Sequence, residues 1–242
     1  MRLSLHRRGA LLALLGAAGL VNIGDAAETG PPLRIGHYSS VNGLAGFVLD
    51  RLGTPIKLRL DGSEEIWALA VVPAPLNAVS LKRDDGSYVL RIDDRGNITF
   101  FDATFFNGVK VARDQDAQSL AIATATRPKA EDAAANLGKE LTRLSGGNVT
   151  ISLDAPALAP DADAWSAIAD AVAIVGISLK EVADALAREA VAKKVKRILI
   201  RDSGQVAIKL VGQMLVVEIA ADKPINGRPS SGLLTSTIGK LL

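Results

Sequence analysis

The stretch IKLRLDGSEEIWALAVV, residues 56–72, decides the fold. Ile56, Leu58 and Leu60 alternate with Lys57 and Arg59, so one face is apolar and the other charged, the pattern of a half-buried strand. Asp61-Gly62 then supplies a tight turn, because Gly adopts the positive φ that hairpin turns demand. Ile66 to Val72 resumes as a run that is apolar on both faces, as expected of a strand covered on both sides. Pro73 and Pro75 should end it, since proline cannot donate to a ladder.

The same grammar extends in both directions. Asn42-Gly43, Asp85-Gly86, Arg95-Gly96-Asn97 and Asn107-Gly108 are turn signals. Between them lie Phe47-Val48-Leu49, Tyr88 to Ile92, Ile98 to Phe101 and Val109 to Ala112. Short strands at regular spacing predict an antiparallel β meander over residues 27–113.

Beyond Arg127 the period changes. Pro128 to Leu144 reads as a helix stopped by Gly146-Gly147, and Val149, Ile151 and Leu153 alternate as a strand. After a Pro-rich link, Pro156 to Pro160, Asp163 can cap a helix with Trp165, Ile168, Val172 and Val175 on one face. Ser178 and Glu181 form a capping box, which predicts a new helix from Leu179 carrying Val182, Ala183, Leu186 and Ala190. Ile198 to Ile200, Val206 to Leu210 and Met214 to Ile219 read as strands, and Ser230 to Leu242 as a short helix. The class is α+β: an antiparallel β meander (27–113) followed by a helix-and-strand region (114–242). Whether the halves share one core is left open.

Residues 1–26 read as a signal peptide. Arg2, His6, Arg7 and Arg8 precede the apolar or small run Gly9 to Val21, and Gly24 and Ala26 provide small residues for cleavage. The run is about a dozen residues, short of the roughly 20 that a membrane span needs. The expected location is periplasmic or secreted, with no integral span after cleavage. The chain has 28 basic and 26 acidic residues; removing Arg2, Arg7, Arg8 and Asp25 leaves 25 of each. A charge-balanced body argues against nucleic acid as a partner.

The residue inventory limits the chemistry. There is no Cys, and His37 is the only His outside the leader, so a zinc site within one chain is excluded and no metal or cofactor is expected. No G-x-S-x-G elbow, S-x-x-K or P-loop spacing occurs. Lone His37, on the first strand of the meander, reads as structural or exposed rather than catalytic. The candidate binding residues are Asp61, Glu64, Glu65 and Trp67, because carboxylates beside an aromatic ring are a sugar-binding and hydrolytic pattern. The plainer account is an acidic turn feeding a strand whose Trp67 fills the core.

Phe47-Val48-Leu49-Asp50-Arg51, Asp61-Gly62-Ser63-Glu64-Glu65-Ile66-Trp67-Ala68-Leu69, Pro73-Ala74-Pro75, Val89-Leu90-Arg91 and Gly96 through Phe101 resemble, in that order, an uncharacterised family of exported proteobacterial proteins, a domain of unknown function. At Leu76-Asn77-Ala78 the chain departs from the short polar turn of that family. The resemblance implies export and an α+β domain, and no activity.

The functional expectation is therefore an exported cell-envelope protein that binds an envelope protein or polymer, or serves as a structural part, without catalysis. The alternative is a carboxylate-dependent hydrolase of an envelope polymer using Asp61, Glu64 or Glu65. Ala-rich helices would serve a homo-oligomer.

Overall fold

The computed structural model describes residues 35–154, 162–181 and 193–241. The expected leader, the link at Pro156 to Pro160 and the continuation of the helix from Val182 lie outside the described residues.

The first eight strands form a closed barrel in sequence order. They are β1 (Gly36–Ser40), β2 (Gly46–Asp50), β3 (Ile56–Leu60), β4 (Trp67–Ala74), β5 (Ala78–Lys82), β6 (Tyr88–Ile92), β7 (Ile98–Phe100) and β8 (Val109–Gln115). Every neighbouring pair is antiparallel, and β8 closes the barrel on β1 with Ser39 opposite Ala112. Closure removes the exposed edges that an open meander would present. The turns carry the glycines expected of them, with φ of 68° at Gly43, 73° at Gly62, 85° at Gly86, 82° at Gly96 and 79° at Gly108.

One face of each strand fills the barrel core. Phe47, Leu49, Leu58, Leu81, Leu90 and Phe100 are fully buried. Tyr38 stacks on Phe47 with ring centroids 5.7 Å apart, and Phe47 meets Phe100 at 5.3 Å. Small barrels of eight strands are filled by side chains in this way.

Two strand expectations are corrected here. β4 does not end at Pro73, which lies opposite Val79; it stops at Ala74, directly before Pro75 as expected. Nor is β4 covered on both sides throughout: Ala70 and Val71 are exposed, because the outer face of this antiparallel barrel meets solvent there. Strand β5 has no clear alternation and is legible only in its pairing with β4 and β6. Its turn from β4 uses Leu76 and Asn77, both at positive φ, of 63° and 55°.

The second part has a four-stranded sheet in the order β11-β12-β10-β9. These are β9 (Thr150–Asp154), β10 (Arg197–Asp202), β11 (Ala207–Val211) and β12 (Met214–Ile219). β10 is parallel to β9 and β12, and β11 is the antiparallel edge strand. Helices α1 (Arg127–Ser145), α2 (Ala162–Glu181) and α3 (Ser231–Leu241) pack against the sheet and each other. Gly146 at φ 65° terminates α1 as a left-handed cap. Ile168, Val175, Ile198, Ile200, Val217, Leu234 and Ile238 make a second core, distinct from that of the barrel.

Helix α2 does not break at the expected capping box. Ser178 is an interior helical residue whose Oγ donates back to the Ile174 carbonyl at 2.8 Å. Buried Val175 and Leu179 continue the packed face through it, and packing outweighs the local cap signal.

A laced connection joins the two parts. Asp50 is fully buried at the end of β2 and accepts from the Ser119 hydroxyl at 2.6 Å and the Leu120 amide at 2.8 Å. Lys57 Nζ lies 3.0 Å from Asp50 and donates to the Leu120 carbonyl. Further along, the Ala125 amide donates to Ser166 Oγ on α2.

Candidate functional site

The turn between β3 and β4 carries the acidic residues, and the fold sends them in different directions. Asp61 turns to β1, where its Oδ2 lies 2.9 Å from His37 Nε2. His37 Nδ1 lies 2.6 Å from Asp114 on β8, which also accepts from Ser39 Oγ at 2.6 Å. The bond to Asp61 is the main influence raising the His37 pKa; burial opposes it, and Asp114 adds to it. The bonds from Ser39 and His37 lower the Asp114 pKa. This arrangement is a clasp across the barrel closure. It is not a nucleophile triad, because Ser39 donates to the carboxylate and both ring nitrogens face carboxylates.

Glu64 is exposed. Glu65, two residues before Trp67, is 4 % exposed and faces the second part of the protein. Its Oε1 accepts from the Ser231 amide at 2.8 Å and its Oε2 from the Ser231 hydroxyl at 2.6 Å. A carboxylate at a helix N-terminus satisfies orphan amides and complements the positive end of the dipole. Asp84 does the same for the preceding residue, accepting from the Ser230 amide at 2.8 Å. Arg228 sits beneath, bonded through Nε to Asp170 and through Nη2 to the Ile66 carbonyl at 3.0 Å. Burial raises the Asp170 pKa against the pull of Arg228.

These ties dock the start of α3 onto the barrel and form one side of a cleft of about 1080 Å³. Trp67, Arg83, Tyr88, Arg91, Phe101 and Phe106 line it, with Ile177, Ser231 and Gly232 contributed by the helices. Phe106 is 77 % and Tyr88 55 % exposed. Trp67 is 9 % exposed and belongs to the barrel core, yet its edge reaches the cleft. The Arg83 guanidinium lies 4.5 Å from the Trp67 ring centroid, and its Nη2 pairs with Asp85 at 2.6 Å. Two buried side-chain donors in the described residues have no hydrogen-bond partner: Trp67 Nε1 and Arg83 Nε.

Of the candidate residues, Glu65 and Trp67 line this cleft. Glu64 lines a smaller hollow that Glu65 also borders, and Asp61 belongs to the His37 clasp. Arg83, Tyr88 and Phe106 were not among the candidates. Arg83 and Phe106 come from turns and Tyr88 opens β6, and only pairing across β4, β5 and β6 brings Arg83 and Tyr88 to the same cleft as Trp67. Among the described residues no group of three or more His, Cys, Asp or Glu side chains could hold a metal ion.

A family model matches residues 19–238. The chain belongs to the family described as a domain of unknown function, DUF4908. The DUF4908 match spans the barrel, the sheet and most of α3, well beyond the segment Phe47 to Phe101 that carries the resemblance in the sequence. No curated protein and no solved structure matches the chain.

Proposed function

We propose that this DUF4908 protein is an exported cell-envelope protein that binds a partner or polymer in the cleft between the barrel and α3, without catalysing a reaction. The cleft itself carries the reading: it is large and concave, with exposed aromatic rings beside two arginines. Pockets of this form, mostly apolar with a few convergent polar groups, are the usual sites of ligand binding. The carboxylates nearest to it hold structure: Glu65 and Asp84 dock α3, and Asp102 caps the turn at Thr104 and Phe105. A carboxylate already accepting two hydrogen bonds is poorly placed to donate a proton to a leaving group. Export is supported by the basic start and the short apolar run of the leader.

The test has two parts. N-terminal sequencing of protein from the envelope should find a start at Ala27 or Glu28; an intact Met1 in a membrane fraction would overturn export. Purified mature protein should co-sediment with envelope polymer, and Phe106→Ala should abolish this without lowering the melting temperature. Polymer cleavage that disappears in Asp61→Asn or Glu64→Gln would establish the hydrolase instead.

A further inference from the structure

We infer that the cleft recognises a carboxylate attached to an apolar body, with the carboxylate oxygens taken by Trp67 Nε1 and Arg83 Nε. This deepens the binding reading above and rests on it. The first observation is the pair of orphan donors. A buried N–H without a partner costs roughly 1–3 kcal/mol, and two of them belong to side chains in contact with each other. Both side chains line the same cleft. Two donors on adjacent groups match the two oxygens of one carboxylate.

The second observation is charge. The Arg83 cation is already balanced by Asp85, and Arg91, whose Nη2 reaches the Pro75 carbonyl, is offset by Asp102 and Glu65, which also line the cleft. The cleft thus holds no surplus cation, which disfavours the double charge of a phosphate monoester more than the single charge of a carboxylate. The third is the apolar floor. Phe106 presents its ring to solvent, where an acyl chain or ring attached to the carboxylate would lie, and Tyr88 beside the same cleft carries Lys82 Nζ 4.0 Å over its ring. Both donors sit on or against the Trp67 indole. Trp67 therefore reports binding directly.

The experiment uses full-length mature protein carrying Trp165→Phe, which leaves Trp67 as its single tryptophan. Its emission is titrated with hexanoate, phenylacetate, phenylacetamide, inorganic phosphate and polyglutamate. The expected result is saturation by hexanoate or phenylacetate with Kd below about 1 mM, and at least about tenfold weaker binding of the amide and of phosphate. Saturation by the small acids assigns a free carboxylate; saturation by polyglutamate alone assigns a carboxylate on a polymer. Arg83→Gln should weaken binding by about tenfold or more, and Phe106→Ala, which alters an exposed ring, should weaken it with an unchanged melt. Equal binding of acid and amide, or preference for phosphate, would overturn the carboxylate inference. If no probe binds while Phe106→Ala still abolishes co-sedimentation with envelope polymer, the cleft reading stands and this inference falls. If neither effect is seen, both fall.

Discussion

Glu65 grips Ser231 with both carboxylate oxygens, one on the backbone amide at 2.8 Å and one on the hydroxyl at 2.6 Å. The two residues are far apart in the chain, and their contact fixes α3 against the barrel and so shapes one wall of the cleft.

Removing that grip should be costly. Glu65→Ala leaves the Ser231 amide and hydroxyl buried without partners and leaves Arg228 with less compensating charge. The expected loss is about 2–4 kcal/mol. Glu64→Gln, one residue away but exposed, should stay within about 0.5 kcal/mol of the native protein. Urea denaturation of both variants checks the contrast; equal effects would show that the docking contact carries no stability.

Trp67→Ala should also destabilise, by about 3–5 kcal/mol, because it leaves a cavity in the barrel core. Trp67→Phe retains an aromatic filler and removes only the indole N–H. It should cost much less stability and still abolish carboxylate binding. A thermal melt beside a calorimetric titration with hexanoate separates the two roles; near-native melting of Trp67→Ala would mean that the ring is dispensable to the core.

Gly232 is the next constraint. A Cβ there would stand 2.3 Å from Asp85 Oδ2 and 2.6 Å from Arg83 Nη2. Alanine ordinarily gains up to about 1 kcal/mol over glycine inside a helix. Here the clash should outweigh it, for a net cost of about 1–3 kcal/mol, because the Arg83–Asp85 pair is anchored to Ser87. Gly232→Ala should lower the melting temperature and shift Trp67 emission as Arg83 is pushed from the ring. A variant more stable than the native protein would refute the close approach.

Local chemistry explains what the sequence could and could not disclose. Asp61-Gly62 and Asn107-Gly108 announce their turns because a positive φ is a property of the residue itself. Strand β8 gives no sign of its return to β1, since pairing of Ser39 with Ala112 depends on the accumulated twist and register of six intervening strands. The acidic turn shows the same limit. Asp61, Glu64, Glu65 and Trp67 are close in sequence, yet one joins His37, one faces solvent and one caps a helix more than 160 residues away. Their partners are supplied by the tertiary fold, so neighbouring positions did not imply a common site.

The clasp at His37 makes stability depend on pH. The pKa of His37 is raised above its ordinary 6.5, so its folded-state contribution is fully present below 6.5 and is lost as pH rises through the raised value. The pKa of Asp114 is lowered below 3.8, so its contribution is present above 3.8 and is lost as pH falls through the lowered value. The barrel closure should therefore be strongest between about pH 4 and 6.5 and loosen on the alkaline side. His37 is the only imidazole outside residues 1–34, so no other histidine in the barrel, sheet or helices titrates in that window. The urea midpoint of the native protein should fall between pH 6.5 and 9, and His37→Ala should flatten that fall while lowering the midpoint at pH 6. An unchanged slope in the variant would mean that the Asp61–His37–Asp114 bridge does not hold β1 to β8 in solution.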